Sequence, residues 1–162
     1  MKQQDPFLEG SMTEAKACPM CEIAAGRGSD DAGIVYQDEH WVVRSIASAP
    51  AVAGWLLLQA RRHISDSGDF NAAEAASFGS VLQRTTLAVR EATGALRVYI
   101  ASLNEGNPHF HSHVLPRLDE MPNGAVGFDA FGLSALARRG EVQADPEQVT
   151  RILADIRERL KS

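Results

Sequence analysis

Asn104-Glu105-Gly106-Asn107-Pro108-His109-Phe110-His111-Ser112-His113-Val114-Leu115-Pro116-Arg117 carries three of the chain's five histidines, at alternate positions. Successive side chains of an extended strand point to opposite faces, so His109, His111 and His113 line one face. Phe110 and Val114 point the other way, toward a core, with Ser112 between them. Upstream, Arg97-Val98-Tyr99-Ile100-Ala101-Ser102-Leu103 reads as another strand. The tight connection from Asn104 to Pro108 makes these two strands antiparallel neighbours. Imidazole serves both acid–base and metal chemistry near neutral pH, so the histidine face is a candidate site; a merely polar strand is the plainer alternative.

Working outward, the long stretch before these strands changes period. Asn71 with Glu74 three positions later forms a capping-box-like start. Phe78, Val81, Leu82, Thr85 and Val89 then follow at helical spacing, and Gly94 is a plausible stop. Further upstream, Trp55-Leu56-Leu57-Leu58-Gln59 is a short apolar run that ends at Arg61-Arg62-His63 and reads as a buried strand. Ile34-Val35-Tyr36 and Trp41 to Ile46 flank a polar turn and read as a hairpin, with His40 solvated in the turn. Cys18 to Ala25 begins a short helical turn closed by Gly26-Arg27-Gly28, and residues 29–33 are a polar loop. Downstream, residues 118–145 are broken by Gly124, Gly127, Gly132 and Gly140, leaving one or two helical turns at Ser134 to Arg139. Asp145-Pro146 is an N-cap with proline behind it. The stripe Val149, Ile152, Leu153, Ile156 and Leu160 makes a terminal helix that docks on the core. Hairpin, strand, long helix, two strands and terminal helix describe an α+β fold with a mostly antiparallel sheet.

The 162 residues suit one domain, and 44% apolar with 23% charged residues is ordinary for a globular chain. A net charge of -5 leaves no basic footprint for a nucleic-acid polymer. No apolar run reaches the roughly 20 residues that span a bilayer. The first eleven residues, ending at Gly10-Ser11, resemble an expression leader with Met12 as a candidate native start; they lack a signal-peptide h-region, and a cytoplasmic location is expected.

Both cysteines fall in Cys18-Pro19-Met20-Cys21. Such a pair is a redox dithiol, half a metal site, or two incidental thiols. A redox dithiol usually follows a strand and opens a helix, and no strand precedes this one. A tetrahedral metal site would need two more nitrogen or sulfur donors. His63 at a strand end and His109 at the start of the histidine strand are candidates, although spacing does not join them to the thiols. His111 and His113 remain for chemistry: a neutral imidazole is a competent nucleophile, and a second imidazole nearby can protonate a leaving group. No other nucleophile motif or phosphate-binding loop is present in the sequence.

His109-Phe110-His111-Ser112-His113-Val114-Leu115 resembles the His-φ-His-φ-His-φ-φ signature of the histidine-triad (HIT) superfamily of nucleotide hydrolases and transferases. Asn104-Glu105-Gly106 and Pro116-Arg117 are similar to its flanks, and Cys18-x-x-Cys21, Val35-Tyr36-Gln37-Asp38 and Gly54 to His63 match in the same order. The resemblance implies a HIT-like domain over residues 12–162, with a sheet of about five strands, a long helix and a C-terminal helix. It implies attack by His111 on the α-phosphorus of a nucleoside phosphoramidate, dinucleoside polyphosphate or related nucleotide. The resulting nucleotidyl-histidine passes to water or another acceptor. His113 would bind phosphate or protonate the leaving group, and Asn104, with the Gly106-Asn107 backbone, would contact the nucleotide. Asn107-Pro108-His109-Phe110-His111 also resembles the hexose-phosphate uridylyltransferase branch. That likeness implies a structural Zn2+ on Cys18, Cys21, His63 and His109. A homodimer with a continuous sheet is the family expectation.

The chain departs from the family's pattern at three places. Gly54-Trp55 replaces a Gly-His or Thr-His, Ala47 replaces an often acidic ribose contact, and Gly106 replaces a serine aimed at the phosphates. Trp55 reads as core filler beside three leucines, or as a surface for a base. The departures keep open a second reading, a zinc-stabilised nucleotide-binding or regulatory module with little turnover.

Overall fold

The computed structural model describes residues 18–27 and 33–161. The expected leader (1–11) and most of the polar loop before the hairpin lie outside the described residues. The elements run α1 (Pro19–Ala24), β1 (Ile34–Gln37), β2 (Trp41–Ser45), β3 (Leu56–Ala60), α2 (Ala72–Thr93), β4 (Arg97–Ala101), β5 (His111–Arg117), α3 (Asp129–Arg138) and α4 (Pro146–Leu160). The strands form one five-stranded sheet in the order β1-β2-β3-β5-β4, antiparallel at every pairing. The expected α+β architecture is therefore present.

Local chemistry explains the boundaries that the sequence announced. The Asn71 side chain accepts from the Glu74 backbone N–H at 2.9 Å, and the Glu74 carboxylate accepts from the Asn71 N–H at 2.8 Å. This reciprocal cap satisfies two donors that the first turn of α2 leaves without helical partners. Gly94 ends α2 at φ 67°, where a Cβ would be strained. Asp145 caps α4 through the Gln148 N–H, with Pro146 just inside.

One face of the sheet is a core against α2 and α4. Trp41, Val43, Leu56, Leu58, Phe110 and Val114 meet Val89, Ile152 and Ile156 there, all buried. Trp41 anchors it, with ring centroids 5.3, 5.2 and 6.1 Å from Phe70, Phe78 and Phe110, and its indole N–H donates to Ser77 at 2.9 Å. Trp41→Ala should cost about 3–5 kcal/mol in denaturant unfolding, because the void would sit among side chains that have no room to collapse. A loss under about 1 kcal/mol would contradict that core.

The opposite face carries the histidines, and here the structure corrects one expectation. Residues 118–145 hold a ten-residue helix, α3, that starts at Asp129 rather than Ser134. Its N-cap, Phe128, provides no side-chain hydrogen bond, and Gly132 lies inside it. Tertiary packing holds it instead: Ala130 and Leu133 bury against Ala51, Val52, Trp55, Leu115 and Met121. Among the described residues no helix is long and apolar enough to cross a membrane.

Candidate functional site

The antiparallel register builds the site in rows across the strands. Val42, Gln59 and His111 stand side by side, then Arg44, Leu57, His113 and Ala101. Strand β5 begins at His111; His109 lies just ahead of it, with the Phe110 N–H donating to the Ile64 carbonyl at 2.6 Å. The alternation of the three histidines persists through that approach.

Each imidazole has one nitrogen fixed by a group whose role is unambiguous. His109 Nε2 lies 2.7 Å from the Ala60 carbonyl, which only accepts, so Nε2 carries the proton and Nδ1 the lone pair. His111 Nδ1 lies 2.8 Å from the His109 carbonyl, so Nδ1–H donates and Nε2 is the bare nitrogen. His113 Nδ1 lies 3.2 Å from the Trp55 indole nitrogen, which can only donate. Burial lowers the pKa of all three, and that of His113 falls to about 4, with His111 beside it as the second cause. For His111 the His109 carbonyl opposes the burial effect and the Arg44 charge reinforces it. A lowered pKa keeps the ring neutral at pH 7, as a nucleophile requires.

The lone pair of His109 Nδ1 faces both thiols, 3.4 Å from Cys18 Sγ and 3.5 Å from Cys21 Sγ. His63 Nδ1 completes the group, 3.3 Å from Cys21 Sγ. All four donor atoms lie within 4.8 Å of one another. A tetrahedron with metal–sulfur bonds of about 2.3 Å and metal–nitrogen bonds of about 2.0–2.1 Å has edges of roughly 3.3–3.8 Å. The three sulfur–nitrogen separations match those edges, so the donor set suits a metal ion after small adjustments. The fold thus gathers the four residues that spacing left apart. Burial, then Cys18, push the Cys21 thiol up to about 11, so a cation bound there would have to displace the Cys21 proton.

Neighbouring groups hold this cluster against the sheet. Gln59 is fully buried; its amide donates to the Met20 carbonyl of α1 at 3.0 Å and its oxygen accepts from Arg44 Nε at 2.9 Å. Arg62, next to His63, donates from Nε and Nη2 to the Glu74 carboxylate at 3.1 and 2.8 Å, tying the His63 corner to the cap of α2. The Arg62 guanidinium, more than burial opposes it, holds the Glu74 carboxyl below the ordinary range. Asn104 adopts φ 47°, a left-handed conformation that asparagine tolerates. Its oxygen accepts from the His111 N–H at 3.2 Å and its amide donates to the Ser65 carbonyl at 3.1 Å. Asn107 accepts from the His109 N–H through its carbonyl at 2.7 Å, and Gly106 sits in the same loop.

Sequence reasoning missed the supports Gln59 and Arg44, the tie of Arg62 to the capping Glu74, and the contact of Trp55 with His113. A glutamine inside the apolar run Leu56–Ala60 was a visible signal; the Trp55 contact depends on register and had none. Trp55 is 1% exposed and packs in the cluster with α3, so the core role expected for it is present.

No curated protein matches the chain. Among solved structures it is similar to a Zn-bound histidine triad family protein from Mycobacterium smegmatis, at 23% identity and a TM-score of 0.65, over 91% of this chain and 97% of that one. It is also similar to a hypothetical histidine triad nucleotide-binding protein from Sulfolobus tokodaii, at 18% identity and a TM-score of 0.65, over 89% and 92%. A Streptococcus mutans protein matches at 25% identity and a TM-score of 0.56, over 86% and 89%. These likenesses are of fold. The family model described as the HIT domain matches residues 27–120, which contain the triad, His63 and all five strands, and the chain therefore belongs to the HIT domain family.

Proposed function

We propose that the protein is a nucleotide hydrolase or nucleotidyltransferase that works through a nucleotide held covalently on His111. The observation that carries this reading is the tautomer of His111. Its Nδ1–H is held by a backbone carbonyl, which leaves Nε2 unprotonated on a ring beside His113. In the first step the Nε2 lone pair forms a bond to the α-phosphorus of a nucleoside phosphoramidate, dinucleoside polyphosphate or related nucleotide. The bond to the leaving group breaks, and the leaving group departs with the electron pair. Water or another acceptor then takes the nucleotidyl group and restores the imidazole. Asn104, Gly106 and Asn107 lie on the loop that leads into β5, where their backbone and amide groups would meet the phosphates.

Cys18, Cys21, His63 and His109 would hold a structural Zn2+, as thiolate and imidazole donors in a closed tetrahedral set suit that ion. The zinc-bound relative supports this choice of metal. The ion would lock His109, whose carbonyl orients His111. A cytoplasmic location goes with the two free thiols.

A homodimer formed through β4 belongs to the same proposal. β4 is an edge strand; Ile100 on it is 42% exposed, and Leu96 and Leu103 just beyond its two ends are 59 and 57% exposed. An unpaired apolar edge invites pairing with a second copy. Ile100→Lys should give a monomer by sedimentation with an unchanged circular dichroism spectrum; a wild-type monomer at micromolar concentration would refute the dimer.

The direct test of function is incubation with a dinucleoside polyphosphate and with an adenosine phosphoramidate, followed by rapid acid-free quenching and mass measurement. A nucleotidyl mass on the peptide containing His111 is expected. Nucleotide binding with neither turnover nor adduct would favour the binding-module reading, for which the replacements at Ala47 and Trp55 speak.

A further inference from the structure

His113 is enclosed by aromatic rings in a way the triad signature does not require. Trp55 lies 5.7 Å away between centroids, tilted by 57°, and Phe131 lies 5.9 Å away at 75°. The two also meet each other, 6.3 Å apart. Phe131 belongs to α3, beyond residues 27–120, so part of this enclosure comes from outside the family domain. An indole N–H donates and cannot accept, so His113 Nδ1 must hold its lone pair toward Trp55. In the neutral ring the proton then sits on Nε2.

Resting on the nucleotidyl-transfer reading, we propose that Trp55 is a positioning residue that fixes His113 as an Nε2–H hydrogen-bond donor, selecting leaving groups that depart as anions. The doubly protonated ring that could give a proton away would turn Nδ1–H against the indole N–H, and both would compete for a lone pair neither has. Giving up Nε2–H from the neutral ring would leave an imidazolide, with only an indole behind it to resupply the proton. Neither route suits a proton donor. A hydrogen bond from Nε2–H still stabilises charge that develops on a departing oxygen.

The bond accounting then separates two substrates. When His111 Nε2 bonds to the α-phosphorus of a dinucleoside polyphosphate, the bridging P–O bond breaks and its pair stays on a phosphate oxygen, which needs no proton. When the substrate is a phosphoramidate, the P–N bond breaks and the amine must gain a proton before or during departure. The geometry at His113 favours the polyphosphate. The packing also explains why a tryptophan stands here: Leu57 pairs with His113 across the strands, and Trp55 stands on the same face two residues before it.

The experiment uses full-length protein with 15N-labelled histidine side chains, wild type and Trp55→Phe, and reads the imidazole tautomers by long-range proton–nitrogen spectra. Wild-type His113 should show a protonated Nε2 and a bare Nδ1, and Trp55→Phe should mix the two tautomers. A protonated Nδ1 in the wild type, or an unchanged pattern in folded Trp55→Phe, would overturn the assignment. In parallel, wild-type kcat should favour diadenosine tetraphosphate over adenosine phosphoramidate, and Trp55→Phe should shrink that ratio by about tenfold or more, since acid catalysis is worth about 10²–10⁴. A wild type that prefers the phosphoramidate, or a ratio unmoved by the substitution, overturns the selection even if the variant folds poorly. Turnover of neither compound sinks the nucleotidyl-transfer reading and the selection with it, while the tautomer spectra still judge the Trp55 contact by themselves.

Discussion

His111→Ala should reduce turnover of any accepted nucleotide by about 10⁴-fold or more, because loss of a nucleophile removes the covalent route rather than weakening it. Nucleotide affinity should stay within about threefold of wild type, since the loop at residues 104–107, proposed to meet the phosphates, is untouched. The same site sets the acid limb of the rate. Burial lowers the His111 pKa from its ordinary value, so the neutral ring survives to lower pH than a free imidazole. Activity should therefore hold as pH falls past the usual histidine range and drop only below it, as the imidazolium forms and its Nε2 lone pair is lost. A stopped-flow pH profile checks the limb, and single-turnover assays check the loss. Residual turnover in His111→Ala within tenfold of wild type would rule out a nucleotidyl-histidine.

The second large effect belongs to the cluster of Cys18, Cys21, His63 and His109. Cys18→Ser preserves size at a buried position but replaces a soft thiolate donor with a hydroxyl that keeps its proton. Elemental analysis should fall from about one zinc per chain to near zero. Melting temperature should fall by about 6–12 °C, equivalent to about 3 kcal/mol for a chain of this length. The wild type should lose metal on acidification, and the sign follows from the thiols. With the Cys21 pKa pushed up to about 11, a bound metal would expel the Cys21 proton, so affinity should rise with pH and fall as acid returns it. Turnover should fall with the metal, because His109 supplies the carbonyl that aims His111. A metal-free wild type with full thermal stability would refute the site.

Much of the fold was legible because its signals are local. Asn71 with Glu74, Gly94, and Asp145-Pro146 each satisfy or end a helix through residues a few positions apart. The β-branched and apolar runs marked the strands, and the alternation of His109, His111 and His113 put three imidazoles on one face. α3 escaped because its start has no side-chain cap and it packs against Ala51, Val52 and Trp55, far away in the chain. The four metal-ligand candidates could be named in the sequence, but only the folded chain brings Cys18 and Cys21 to His63 and His109.

Residue types and their periods determine which groups are available: three imidazoles in phase, two thiols, a helix that begins at Asn71 and one that begins after Asp145. They do not determine which nitrogen of each imidazole carries the proton. That was decided by partners distant in sequence or hidden in register: the Ala60 carbonyl for His109 and the Trp55 indole for His113, while the His109 carbonyl sets His111 through the turn into β5. A tautomer depends on the position of a single donor or acceptor to within a few tenths of an ångström, and only packing fixes position that finely. The tertiary structure thus gave three like residues different partners: two thiols and the Ala60 carbonyl for His109, the His109 carbonyl for His111, and the Trp55 indole for His113.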